Sequence, residues 1–127
     1  MGGVTDPTIV TGSADSTVRV WDLRMLQSGS KERAKTSTAG AERLLLRGHK
    51  GGITCIHRDW TQIVSGSTDT TVKVWDQNTG ECVRSCYGHI SGVSCVARID
   101  DSTIVSGSWD NALRLWQLGG AAGTSLL

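Results

Sequence analysis

The chain of 127 residues contains no phenylalanine, one proline and one tyrosine. Without Phe, a core has to be filled by aliphatic side chains and by the 5 tryptophans. With a single Pro, turns fall to the 16 glycines, which reach backbone conformations closed to other residues. Charge of one sign is also missing: 13 Lys and Arg against 12 Asp and Glu leave a net +1, which argues against binding nucleic acid or anionic lipid through bulk charge. Long hydrophobic runs are absent. Leu44-Leu45-Leu46 stands far short of the roughly 20 apolar residues of a membrane helix. Met1-Gly2-Gly3-Val4-Thr5-Asp6 has no apolar stretch of a secretion signal, and Asp6 stands where a myristoylation motif needs Ser or Thr. These features predict an intracellular protein, cytoplasmic first and nuclear second, whose four cysteines (Cys55, Cys82, Cys86, Cys95) are reduced thiols.

What is present is repetition. Hydrophobic residues at 38% and charged residues at 20% suit one folded domain, and within it Thr11-Gly12-Ser13-Ala14-Asp15 recurs as Ser65-Gly66-Ser67-Thr68-Asp69 and as Ser106-Gly107-Ser108-Trp109-Asp110. Six residues after each Asp stands a tryptophan: Trp21, Trp75 and Trp116. Gly48-His49 and Gly88-His89 precede the second and third copies. From Gly12 to Gly66 is 54 residues and from Gly66 to Gly107 is 41, the excess of 13 lying after Asp22. A fixed period of this length marks a repeat architecture.

Each copy reads as strands. Thr17–Trp21, Thr71–Trp75 and Ala112–Trp116 alternate polar with apolar residues, and Thr8–Thr11, Gln62–Ser65 and Thr103–Ser106 precede them. Gly-Ser-x-Asp makes the turn between. Ile53–Ile56 and Val93–Val96 are a third strand type, with Cys55 and Cys95 at equivalent sites, and Arg43–Arg47 and Glu81–Tyr87 a fourth. Four antiparallel strands per repeat make a propeller blade.

Gly-His, then Ser-Gly-Ser-x-Asp, then Val-x-Val-Trp-Asp resembles the WD40 repeat family, from about Thr8 to Leu118, with Trp116-Gln117 in place of the final Trp-Asp. The resemblance implies an all-β fold of about three four-stranded antiparallel WD40 blades. Blade 1 would cover about 8–47 with an insertion at 23–42, blade 2 about 48–87, and a partial blade 3 about 88–118. A flank at 1–7 and a flexible tail at 119–127 without a fourth-strand pattern would remain. Since propellers use about 4 to 8 blades, this one is expected to be open, completed by further blades or by self-association.

The family resemblance also implies a buried hydrogen-bonded tetrad per blade: His49, Ser65, Asp69 and Trp75 in the second, His89, Ser106, Asp110 and Trp116 in the third. The first has Thr11, Asp15 and Trp21 without a preceding His. Ser, His and Asp superficially match a hydrolase triad, yet a Trp shares the network, so the residues are read as structural and no catalytic residue is assigned. No metal or cofactor is expected: Cys82-x-x-x-Cys86 is not zinc-ribbon spacing, and Gly51-Gly52 and Gly119-Gly120 open no helix as a phosphate loop does.

Binding remains. By the family resemblance, partners use the residue before the turn Asp (Ala14, Thr68, Trp109) and the start of the inner strand (Thr54, Ser94). Trp109 is the strongest of these because aromatic anchors dominate interfaces, with packing at a blade junction as its alternative. The function implied is a non-enzymatic protein-interaction scaffold or adaptor for protein or peptide partners. The compact repeats also look similar to those of F-box/WD substrate receptors of ubiquitin ligases, although the Arg residues with which such receptors read phosphorylated degrons are Ala, Thr, Trp, Thr and Ser here. A third reading, nucleic-acid binding, rests on the loop after Asp22, where Arg24, Lys31, Arg33 and Lys35 outnumber Glu32 and Glu42.

Overall fold

The computed structural model describes residues 8–22, 42–59 and 61–118, together with the backbone of 124–125. Their regular structure is entirely β, in three antiparallel sheets that do not close into a ring. The first holds β1 (Thr8–Gly12), β2 (Val18–Asp22) and β3 (Glu42–Leu46), in that order. The second runs β4 (Ile53–Arg58), β5 (Gln62–Ser67), β6 (Val72–Asp76), β7 (Cys82–Cys86). The third runs β8 (Val93–Asp100), β9 (Thr103–Ser108), β10 (Leu113–Gln117), β11 (Thr124–Ser125). The basic loop after Asp22 lies, apart from Glu42, outside the described residues.

The last strand departs from the sequence reading, which expected no pairing in the tail. Trp116 pairs with Ser125 and Gln117 with Thr124. Pairing of this kind uses only main-chain donors and acceptors, so a stretch of small residues carries no side-chain pattern that would announce it.

Register repeats from sheet to sheet. Ile9 pairs with Trp21, Ile63 with Trp75 and Ile104 with Trp116, while Val10 pairs with Val20, Val64 with Val74 and Val105 with Leu115. Because neighbouring strand positions point to opposite faces, each sheet has an Ile/Trp face and a Val or Leu face. The sheets stack with unlike faces together. Val18, Val20 and Leu46 of the first pack on Ile63 and Trp75 of the second. Val64, Val72, Val74 and Cys86 of the second pack on Val93, Ile104 and Trp116 of the third. All but Leu46 and Trp75, at 1%, are fully buried. Each aliphatic side chain so buried contributes about 1.5–3 kcal/mol.

Close approach at the inner strands requires one glycine in particular. A Cβ on Gly66 would stand 2.6 Å from both Cys55 Sγ and Val93 Cγ1. At the other end of the strands a single arginine joins the second and third sheets. Arg98 of β8 lies 2.6 Å from Asp59 Oδ2 and donates to Gln62 Oε1 at 2.7 Å and to the carbonyl of Asp101 at 3.0 Å.

Candidate functional site

The turn between the middle strands of each sheet is built the same way three times. Ser13, Ser67 and Ser108 each accept the backbone N–H of the Asp two residues on, at 3.1, 3.0 and 3.1 Å. Such a turn needs the next residue in the left-handed region, and Ser16, Thr70 and Asn111 stand there with φ of 76°, 76° and 68°.

From this turn the tetrads are assembled. Trp75 Nε1–H donates to Ser65 Oγ at 2.8 Å, leaving the Ser65 O–H to donate to His49 Nε2 at 2.7 Å. His49 Nδ1–H then donates to Asp69 Oδ2 at 2.9 Å. The chain has one direction, since an indole only donates and a carboxylate only accepts. The third sheet repeats it: Trp116 to Ser106 at 2.8 Å, Ser106 to His89 at 2.7 Å, His89 to Asp110 at 3.0 Å. Burial lowers the pKa of His49, ahead of the opposing pull of Asp69, so the neutral imidazole belongs to the network. Burial alone would raise Asp69, but hydrogen bonds from Thr71 Oγ1, Lys50 N, His49 and Thr71 N outweigh it and hold the carboxyl at about 2. Asp110 is held at about 2 as well, its desolvation outweighed by the Ile90 N–H, His89 and the Ala112 N–H.

Sequence reasoning missed one member. Thr71 Oγ1 donates to Asp69 Oδ1 at 2.6 Å, and Thr17 Oγ1 to Asp15 Oδ1 at 2.5 Å. A threonine two residues after the turn Asp was the available signal. In the first sheet Trp21 Nε1–H still reaches Thr11 Oγ1 at 2.9 Å, but Thr11 is exposed and Trp21 half-buried, and Asp15 faces Arg19 at 3.6 Å instead of a histidine. With Ser65, Ser106 and the two imidazoles buried, these networks tie strands together, and the Asp69 end of the second borders a surface depression, shared with Lys50, Lys73 and Tyr87.

The residues that precede the turn aspartates lie along one face. Their surroundings show it at the glycines they cover: a side chain on Gly52 would meet the Ala14 backbone at 3.2 Å, and one on Gly51 would collide with Thr68 Oγ1. One on Gly92 would stand 3.3 Å from Thr68 Cα and 2.6 Å from Trp109 Cζ3. Trp109 thus rests on Gly92, with 59% of its surface exposed; Thr68 is exposed next to the same glycine, and Ala14 is exposed one sheet further on, next to Gly52. The two inner-strand candidates differ from these. The Thr54 hydroxyl donates to the carbonyl of Val93 in the neighbouring sheet, and Ser94 is half-buried with its Oγ 3.9 Å from Cys95 Sγ.

The equivalent cysteines have different surroundings. Cys55 packs against the second junction, where burial raises its thiol pKa, while Cys95 is exposed. Cys86, buried in that junction, is pushed up to about 11. Among the described residues no three His, Cys, Asp or Glu side chains gather as metal ligands would, and no helix is long and apolar enough to cross a membrane.

Stacked four-stranded sheets with a Trp–Ser–His–Asp network tying the turn of each complete one define an open set of β-propeller blades. The family model described as "WD domain, G-beta repeat" matches residues 4–22, 40–76 and 80–117. The chain belongs to the WD40-repeat family. It is 34% identical over 121 residues to a ribosome biogenesis protein WDR12 homolog of Culex quinquefasciatus, covering 87% of this chain and 25% of that one. It is 35% identical over 88 residues to mitochondrial division protein 1 of Aspergillus niger, covering 68% of this chain and 13% of that one. Among solved structures, the computationally designed Ika4 protein superposes with a TM-score of 0.71 at 32% identity, over 92% of this chain and 64% of that chain. The chain therefore spans a quarter or less of these natural relatives.

Proposed function

We propose that this chain is a non-enzymatic protein-interaction scaffold whose partners dock on the face carrying Ala14, Thr68 and Trp109. The observation that carries the reading is Trp109: a large apolar ring, 59% exposed, on a turn braced from beneath by the Ser108 and Asp110 hydrogen bonds. A rigid aromatic on a braced turn gains contact area at small entropic cost, which is what an interface anchor requires. The hydroxyl and imidazole of each tetrad are buried and fully engaged with their partners, which favours a structural role for them and leaves Trp109 as the group presented outward. Relatives named for ribosome biogenesis and for mitochondrial division support an intracellular setting and differ in their tasks, as a shared docking scaffold allows.

The test is a displayed random-peptide library panned on the wild-type chain, followed by calorimetry of the selected peptides on wild type and Trp109→Ala. The expected result is a loss of about 2 kcal/mol or more in affinity, roughly 30-fold, with an unchanged melting temperature. Peptides that bind both chains equally, or affinity that collapses with salt as phosphate contacts do, would overturn the reading.

A further inference from the structure

The second and third sheets share one loop and turn but present different side chains outward. Lys50 and Ile90 hold one repeat position, each directly after a tetrad histidine. Each gives its backbone N–H to the turn Asp: Lys50 to Asp69 Oδ2 at 2.8 Å, Ile90 to Asp110 Oδ2 at 3.0 Å. Thr68 and Trp109 hold another, with their backbone N–H groups on the carbonyls of Gly52 and Gly92 at 2.9 and 3.0 Å. These braces are main chain on the donor side, so the fold leaves the side chains open to choice. In the third sheet both are large and apolar, and both meet water: Ile90 is 86% exposed and Trp109 59%. The loop that carries Ile90 joins the second sheet to the third, and the Trp109 ring shares Gly92 with Thr68 of the second sheet. The pair therefore sits inside the repeat array.

The second sheet fills the same positions with polar groups. Lys50 lines a depression with Lys73 and the exposed Tyr87. Asp69 borders it too, but its side chain is only 12% exposed and engaged by His49, Lys50 N, and both the N–H and hydroxyl of Thr71. Lys73 Nζ gives one of its three protons to Ser85 Oγ at 2.8 Å. Two ammonium groups and a phenol thus set the outward chemistry of this depression.

We infer that the occupant of this face is an extended peptide segment of a protein partner, bearing a large apolar side chain and a carboxylate about three residues apart. The apolar side chain packs on Ile90 and Trp109, while the Asp or Glu reaches Lys50, Lys73 and the Tyr87 hydroxyl. This rests on the reading of Trp109 as an anchor and adds what the anchor holds. Stacked sheets lie about 10 Å apart and an extended chain advances about 3.3 Å per residue, which sets the separation. Two large apolar side chains stand in water where the preceding repeat has Lys and Thr, as a docking surface requires and a free one does not. A carboxylate suits the depression better than a phosphate, because Asp69 borders it and repels a dianion more strongly than a single charge.

The experiment takes peptides from a displayed random library panned on the wild-type chain and measures synthetic copies by calorimetry. The enriched sequences are expected to share a large apolar residue with an Asp or Glu about three positions away. Changing that residue to Asn or Gln is expected to weaken binding to wild type roughly 3- to 10-fold. On the Lys50→Gln/Lys73→Gln chain the same change is expected to have no effect, since the ammonium groups it answers are gone. Ile90→Ser is expected to weaken every such peptide by roughly 10-fold. Lys50 and Ile90 are tied to the turn by backbone N–H groups that survive these substitutions, and a melt of each variant verifies the fold. Peptides lost on Trp109→Ala but indifferent to the carboxylate and the lysines overturn the inference and leave the anchor standing. Peptides indifferent to Trp109→Ala as well, or a library that enriches nothing, overturn both. Tighter binding when phosphoserine replaces the acidic residue overturns the carboxylate and assigns the depression to a phosphopeptide.

Discussion

Ser65 Oγ accepts the indole N–H of Trp75 at 2.8 Å while both residues are buried to 1% exposure or less. The hydroxyl also supplies His49, so Ser65→Ala strands an indole donor and an imidazole acceptor together. Each costs roughly 1–3 kcal/mol when left unpaired away from water. Urea titration is expected to show a loss of about 2–4 kcal/mol, and Ser106→Ala a similar one. Thr11→Ala, on an exposed residue where water can replace the hydroxyl, is expected to cost about 1 kcal/mol or less. Equal losses at Ser65 and Thr11 would contradict this.

Acid should unfold the protein in two stages. His49 has its pKa lowered from 6.5 by burial, so just below that pH the unfolded chain takes up a proton that the folded chain refuses. Stability then falls as pH drops. Asp69 and Asp110 titrate at about 2 in the fold against 3.8 for an unperturbed carboxyl, so a second loss falls between those values. Melting temperatures from pH 7.5 to 2 should decline in both windows, and His49→Gln should remove most of the upper one. A flat profile from pH 7.5 to 5 would count against the neutral imidazole.

Thr70 holds φ of 76° at a position where the third sheet has Asn111. A β-branched residue is strained in the left-handed region, whereas Asn tolerates it. Thr70→Asn is expected to stabilise the fold by about 0.5–1 kcal/mol, read as a rise in melting temperature. Thr70→Val, which keeps the branching, should give no gain.

Gly92 is the floor under Trp109. The side chain of Gly92→Ala would meet the indole at 2.6 Å, and the exposed ring is the part free to move. Stability should change by about 1 kcal/mol or less, while peptides selected on the wild-type chain should bind several-fold more weakly. Unaltered affinity would mean that the ring's position does not matter to its partners.

Much of this fold was legible because the signals are local and repeated. The alternation ending in Trp21, Trp75 and Trp116 marks β2, β6 and β10, and Gly-Ser-x-Asp marks the turns before them. What stayed hidden depends on neighbours in space. Cys55 and Cys95 are indistinguishable as letters, yet one packs under an adjoining sheet and the other does not. The bond from Thr54 to Val93 joins residues 39 apart in sequence, and no pattern within either strand encodes it. Register irregularities between Val20 and Trp21 and between Val74 and Trp75 follow from how the outer strand lies, which composition does not specify. Within the tetrads, the family resemblance identified His49 and His89, while the threonine two residues after the turn Asp, present as Thr17 and Thr71 but replaced by Ala112 in the third copy, went unread.

The three-stranded first sheet, with its half-open tryptophan, has a consequence for how the molecule comes apart. Stability here is a sum over sheets and seams, and the sheets are unequal. Thermal opening should start in the first sheet, whose Thr11 and Trp21 are less enclosed than Ser65 and Trp75, and spread through the second before it reaches the turn that carries Trp109. Amide protons would then exchange in a gradient, fastest along β1, slowest in β5 and β6. Opening of the first sheet would therefore leave the turn that carries Trp109 in place, two sheets away.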